Sequence, residues 1–207
     1  MKDFDVLKFV SPYPQGAVLF IEKQISRGVY VLCEGEVKLS ISSHEGKQLS
    51  LRIVKPGDVL GLAGTLADMP HEVTAETTRP SQVAFVRRDD FLRFLTRHPE
   101  AYLAVAKQLG AHYQVACEQL RTVALSASAP GRLAKMLLDF SAARQRTRQG
   151  TRFTWSLTHE EIGEFIGTTR ETVTRALSEF KSRNLVTLQG SSLLIHDRSA
   201  LEGLAAE

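Results

Sequence analysis

Over the first 95 or so residues, apolar and polar positions alternate in short bursts broken by turn residues. Val29–Cys33, Val37–Ile41 and Leu49–Val54 are such bursts, and Gly16, Gly28, Gly35, Gly46, Pro56-Gly57 and Gly61 punctuate them. Within one burst Val37, Leu39 and Ile41 point one way, and Lys38, Ser40 and Ser42 the other. A period of two with turns at this spacing predicts a small antiparallel β-barrel or sandwich. The period then changes. Between 99 and 125 apolar residues recur at Tyr102/Leu103, Ala106, Leu109/Gly110, Tyr113, Ala116/Cys117, Leu120 and Val123/Ala124. Heptad-like spacing over this length predicts one long helix with a narrow seam. Leu109, Tyr113, Ala116 and Leu120 are its expected dimer contacts; the competing reading is a helix packed on its own barrel. Ser126-Ala-Ser-Ala-Pro130, small residues before a proline, reads as a hinge into a third segment.

That third segment opens with an amphipathic helix marked by Leu133, Met136, Leu137 and Phe140. A polar loop, Arg144–Gly150, and a short strand, Phe153–Leu157, follow. Thr158 and Glu161 form an S/T-x-x-E capping box that starts the next helix, and Gly167 stops it. Thr168 and Glu171 repeat the box and open a second helix. On that helix Val173, Ala176, Leu177 and Phe180 share the buried face, while Arg170, Glu171, Thr174, Arg175, Ser178 and Lys181 share the opposite one. Two short helices about a glycine turn predict a DNA-binding helix-turn-helix. Arginines match guanine O6/N7, a carboxylate accepts from cytosine N4, and hydroxyls and lysine suit phosphate. Thr169, Arg170, Glu171, Thr174, Arg175 and Lys181 are the expected DNA contacts. Leu185–Leu188 and Leu193–His196, joined through Gly190-Ser-Ser, predict a hairpin wing.

The string Ile162-Gly163…Gly167…Arg170-Glu171-Thr172-Val173-Thr174-Arg175 closely resembles the helix-turn-helix of the cyclic-AMP receptor protein/fumarate–nitrate regulator superfamily of bacterial transcription regulators. Gly28-Val-Tyr-Val-Leu-x-Glu-Gly35-Glu-Val-Lys-Leu, with Lys55-Pro-Gly-Asp-Val-Leu-Gly61, resembles the cyclic-nucleotide-binding jelly roll of the same superfamily. The resemblance implies an α+β chain in three parts: a sensor jelly roll over 1–98, a dimerisation helix and hinge over 99–126, and a winged helix-turn-helix over 127–207. It further implies a homodimer on a palindromic operator, with Arg170, Glu171 and Arg175 reading TGTGA-like half-sites, and RNA polymerase as a partner.

Composition narrows the setting. The chain has 207 residues, 43% hydrophobic and 24% charged, as ordinary soluble domains do. No apolar run is long enough for a membrane span and the N-terminus lacks a signal-peptide pattern, so a cytoplasmic protein is expected. Two distant cysteines, Cys33 and Cys117, fit a reducing compartment. Residues 127–207 hold 11 Lys and Arg against 9 Asp and Glu, an excess too small to argue for DNA without the local pattern.

Nucleotide-responsive members of the superfamily carry Gly-Glu and then Arg-Ser or Arg-Thr around the cyclic phosphate. Here the corresponding stretch reads Gly61-Leu62-Ala63-Gly64…His71-Glu72-Val73. Leu62 replaces the glutamate, and His71-Glu72 replaces the pair that would neutralise the phosphate; Ala116 and Cys117 stand where base-contacting hydroxyls are expected. An effector pocket of Gly61, Leu62, Ala63, His71, Glu72, Val73, His112 and Cys117 is expected, for an effector other than cyclic AMP. Its identity stays open, as does effector-independent activity. An iron–sulfur cluster needs four thiolates and finds two. Haem on His71, Met69, His112 or Cys33, and oxidation of Cys117, remain as minor alternatives. No metal is assigned. His44 and His71 lack the spacing of a cupin metal pair, and no G-x-S-x-G, phosphate loop or H-E-x-x-H occurs, so an enzyme is not expected.

Overall fold

The computed structural model describes residues 9–125, 128–142, 146–147, 150–155 and 157–206. Packing divides the chain into two compact units, Met1–Cys117 and Glu118–Glu207.

In the first unit, the alternating segments form β1 (Phe9–Tyr13), β2 (Val18–Phe20), β3 (Gly28–Glu34), β4 (Val37–Ser42), β5 (Gln48–Val54), β6 (Val59–Leu60), β7 (Thr74–Thr77) and β8 (Ser81–Arg87). They pair antiparallel into two four-stranded sheets, β1-β8-β3-β6 and β2-β7-β4-β5, which is the strand order of a jelly roll. One core is built from Leu19, Phe20, Leu32, Val37, Leu39, Leu60, Val73 and Val83. The short helix α1 (Leu62–Ala67), helix α2 (Arg88–Arg97) and the long helix α3 (Pro99–Leu125) complete the elements up to the hinge. Asp89 and Asp90 lie in the first turn of α2, as helix dipole chemistry favours. Leu62, Phe91 and Leu95 join Val29 and Val86 in a second cluster, and Ala101, Val105 and Leu109 of α3 pack against it. The polar side of β4 departs from simple alternation, since Lys38 and Ser40 are buried as well as Val37 and Leu39. A register shift between Leu39 and Ser40 interrupts the pairing with β5 there.

The second unit carries the end of α3, then α4 (Ala129–Ser141), β9 (Arg146–Thr147), β10 (Gly150–Thr154), α5 (His159–Ile166), α6 (Arg170–Ser182), β11 (Val186–Gln189), β12 (Ser192–Ile195) and α7 (Arg198–Ala206). Ser126 and Ala127 of the expected hinge lie outside the described residues; Ser128 caps α4 by accepting from the Gly131 amide. The stretch expected to be a polar loop instead contributes β9, which pairs with the start of β10. Residues 144–145 and 148–149 of it are outside the described set. The strand expected at Phe153–Leu157 begins earlier, at Gly150, because Thr151–Thr154 pair with β12. The sheet runs β11-β12-β10-β9, and Leu133, Leu137, Ile162, Ile166, Val173, Leu177, Phe180, Leu193, Ile195 and Leu201 are buried almost completely. α7 packs on α4, an element that the apolar pattern did not disclose.

Candidate functional site

The geometry of the helix-turn-helix follows from its two glycines. Thr158 starts α5 with a complete capping box: its hydroxyl accepts from the Glu161 amide while its own amide donates to the Glu161 carboxylate. Gly167 ends it at φ 64°, ψ 46°, a left-handed conformation that costs a residue with a Cβ. Gly163 lets the turn close over α5, since a Cβ there would lie 2.8 Å from the Thr168 carbonyl oxygen. The last carbonyls of α5 are satisfied from outside: Gln119 of α3 donates to Phe165 O, and Arg132 of α4 donates to Ile166 O.

The second cap corrects the sequence reading by one residue. Thr169, not Thr168, caps α6, its hydroxyl accepting from the Thr172 amide. The Thr168 amide is already committed to Gly163 O at 2.9 Å, so the turn needs one residue more. Arg170 thus becomes the first helical residue and Glu171 the second, and no second capping box forms. Val173, Ala176, Leu177 and Phe180 are buried, and Thr169, Arg170, Glu171, Thr174, Arg175, Ser178 and Lys181 are exposed together. Arg175 donates to the Thr172 hydroxyl at 3.3 Å and the Thr174 hydroxyl to Arg170 O at 2.9 Å. Glu171 is held below the usual carboxylate range. The main cause is hydrogen bonding from its own backbone amide, followed by the Thr169 hydroxyl, with Arg170 and Arg175 adding. It is therefore an acceptor at neutral pH. His159, the first residue of α5, was not singled out from sequence; its Nδ1 lies 2.8 Å from the Thr174 hydroxyl.

The residues expected to form the sensor pocket have the following surroundings. Gly61 and His71 are neighbours, a Cβ on Gly61 falling 3.0 Å from His71 Cε1. His71 is 4% exposed, stacks on Phe20 at 3.9 Å between centroids, and leaves Nδ1 buried without a partner. Burial lowers its pKa, opposed by Glu72. Leu62 belongs to the cluster of Val29 and Phe91, Val73 to the core between the sheets, Ala63 is half-buried, and Glu72 is exposed. His112 of α3 instead meets Arg52 of β5, with Nε2 2.8 Å from the Arg52 guanidinium and 3.3 Å from the Gln108 amide. Arg52 also pairs with Asp58 at 3.3 Å, and Gln108 donates to Val59 O. Burial first, then Arg52, lowers the pKa of His112. Cys117 is half-buried and hydrogen-bonded with Tyr113, which raises the tyrosine's pKa. Among the described residues no three His, Cys, Asp or Glu side chains gather as a metal group, and no helix is long and apolar enough to cross a membrane.

Along α3, Leu109 is half-buried against the barrel-side cluster, whereas Leu103, Tyr113, Ala116 and Leu120 are exposed, Tyr113 at 72% and Leu120 at 66%.

A jelly roll, a long helix and a winged helix-turn-helix with an arginine-bearing second helix define a class of DNA-binding regulators. Residues 10–98 match the cyclic nucleotide-binding domain family, and residues 131–204 match the Crp-like helix-turn-helix domain family. A CRP-like cAMP-activated global transcriptional regulator of Mycobacterium tuberculosis is 30% identical over 191 residues, covering 91% of this chain and 84% of the relative. The chain belongs to the CRP/FNR superfamily of transcription regulators, and its second unit is that family's DNA-binding module. Among solved structures, FixK2 of Bradyrhizobium japonicum superposes with a TM-score of 0.82 at 20% identity, covering 97% of this chain and 98% of that one. The c-di-GMP responsive regulator CLP of Xanthomonas campestris also gives 0.82, at 18% identity over 95% and 97%. These two likenesses speak for the fold.

Proposed function

We propose that this protein is a homodimeric, sequence-specific transcription regulator whose α6 enters the major groove of each TGTGA-like half-site of a palindromic operator. The observation carrying this reading is the exposed stripe of Arg170, Glu171, Thr174 and Arg175 at the start of α6, held by the two-glycine turn. Arg170 and Arg175 are the base-reading cations and Glu171 the acceptor, while Thr169 and Lys181 serve the phosphates and Thr174 lies among them with its hydroxyl donated to Arg170 O. Two modules need a two-fold axis. The exposed apolar stripe of α3, with Leu103, Ala106, Tyr113 and Leu120, supplies one, and the exposed Ala116 borders it. RNA polymerase is the further partner expected of such a regulator.

For the first unit we propose a small effector other than cyclic AMP, although the M. tuberculosis relative is described as cAMP-activated. What supports it is the stretch from Gly61 to Val73. It holds no arginine, Leu62 stands in an apolar cluster, and His71 is packed on Phe20. The cation beside this stretch, Arg88, is engaged by the Thr65 carbonyl and by Asp68.

The DNA reading is tested by titrating Arg170→Ala and Arg175→Ala against a palindromic duplex with two TGTGA half-sites and its single-base variants. Each should lose about 1–3 kcal/mol at one base pair and relax specificity at that position. Equal weakening on every sequence would mean these arginines do not read bases.

A further inference from the structure

We propose that His159 contacts a DNA phosphate only as the imidazolium, so that operator binding takes up a proton at the first residue of α5. The inference rests on the DNA-binding reading above and starts from one pair of bonds. The Thr174 hydroxyl has a single hydrogen, and the Arg170 carbonyl one turn back lies 2.9 Å away, the usual acceptor for a helical threonine. With that hydrogen committed, the contact of His159 Nδ1 with the same hydroxyl oxygen, at 2.8 Å, is made by Nδ1–H donating. The neutral ring then carries its lone pair on Nε2, which has no hydrogen-bond partner among the described residues, and the residue is half-buried.

A lone pair repels a phosphate oxygen, whereas Nε2–H of the imidazolium donates to it with charge assistance. Protonation leaves the bond to Thr174 intact, so the recognition helix stays braced while the outer edge of the ring changes from acceptor to cationic donor. The ionisable neighbours divide by helix. The anionic side chains are Glu160 and Glu164 on α5 and Glu171 on α6, and the cationic ones are Arg170 and Arg175 on α6. A phosphate arriving beside the ring adds a negative charge and tips this balance toward the imidazolium.

The test is fluorescence anisotropy with the palindromic TGTGA duplex, from pH 6 to pH 8 and at several salt concentrations. Wild-type affinity should fall with rising pH, approaching about tenfold per pH unit where one full proton is linked. Its salt slope should be steeper at pH 6 than at pH 8 by roughly one phosphate contact per half-site. His159→Asn, which retains a donor for Thr174, should bind at the weak high-pH level throughout, and His159→Arg should stay tight with little pH dependence. A wild-type profile without slope, or His159→Asn retaining the wild-type slope, would overturn the proposal. No binding to this or any duplex at any pH would instead sink the DNA reading, and this inference with it.

Discussion

Replacing Gly163 or Gly167 by alanine separates helix propensity from the geometry of the turn. In an ordinary helix interior, Gly→Ala stabilises by roughly 0.8–1 kcal/mol. At Gly163 the new Cβ would sit 2.8 Å from the Thr168 carbonyl oxygen, a backbone atom that moves only if the turn does. Overpacking of this kind costs about 1–3 kcal/mol and exceeds the propensity gain. At Gly167 the left-handed backbone itself costs an alanine about 1–2 kcal/mol. Its Cβ also meets Val123 Cγ1 at 3.0 Å, though that side chain has room to give. Net of the propensity gain, Gly163→Ala is expected to destabilise the second unit by up to about 2 kcal/mol, and Gly167→Ala by about 1–2 kcal/mol. Trp155 is the only tryptophan of the chain and is buried beside Phe140 and Phe153, so its fluorescence follows that unit alone. With a urea dependence of about 1 kcal/mol per molar for a domain of this size, the Trp155 midpoint should fall by up to about 2 M in Gly163→Ala and by roughly 1–2 M in Gly167→Ala. Operator affinity should fall too, since Thr168 leads directly into α6. A midpoint that rose in Gly163→Ala, as propensity alone demands, would refute the close-approach argument.

Leu120→Glu should turn the protein monomeric in sedimentation and abolish tight operator binding without lowering the melting temperature of the barrel, because two carboxylates would meet across the seam; a dimeric variant would move the interface elsewhere. Leu109→Glu should instead melt the barrel several degrees earlier, and a barrel transition at the wild-type temperature would contradict its contact with the cluster of Val29 and Leu95. Both His71 and His112 have pKa values lowered chiefly by burial, so unfolding takes up protons. Their stabilisation is fully present above the ordinary histidine value of about 6.5 and is lost as pH falls below it toward their folded values. Circular-dichroism melts should accordingly show the first-unit transition dropping from pH 7.5 to pH 5.5, and dropping less in His112→Gln; equal drops in both proteins would remove His112 from this account. Cyclic AMP at saturating concentration should leave that transition where it is, whereas a ligand bound at 100 times its Kd adds about 2.7 kcal/mol, so any shift of that size overturns the effector reading.

What the sequence disclosed and what it hid divide by the range of the interactions. The first capping box and the stop at Gly167 are written within three or four residues of where they act, and both read correctly. The second cap slipped by one residue because the Thr168 amide is claimed by Gly163 O, a bond that depends on how the turn closes. Arg52 and His112 lie 60 residues apart, and no local pattern places a β5 arginine against an α3 histidine. The same holds for His159 and Thr174, which only the crossing of α5 and α6 brings together. The packing of Leu62 and Val73 is of this kind as well, since they are eleven residues apart and feed different apolar clusters.

Helix α3 shows the limit most clearly, because its pattern was correct and still ambiguous. At about 100° per residue, Ala101, Val105, Gln108, Leu109 and His112 centre on one direction, the side that meets the barrel. Leu103, Ala106, Gly110, Tyr113, Cys117, Leu120 and Ala124 alternate by three and four residues and centre roughly a third of a turn away. Leu109 falls on the border between the two directions, where hydropathy alone assigns it equally well to either. Contact with Val29, Phe91 and Leu95 assigns it to the barrel. The proposed seam passes through its neighbour Gly110, whose missing side chain would let two helices approach closely. A dimer built on this stripe would use a side of α3 next to the one through which Ala101, Val105 and Leu109 pack on the cluster of Val29 and Leu95.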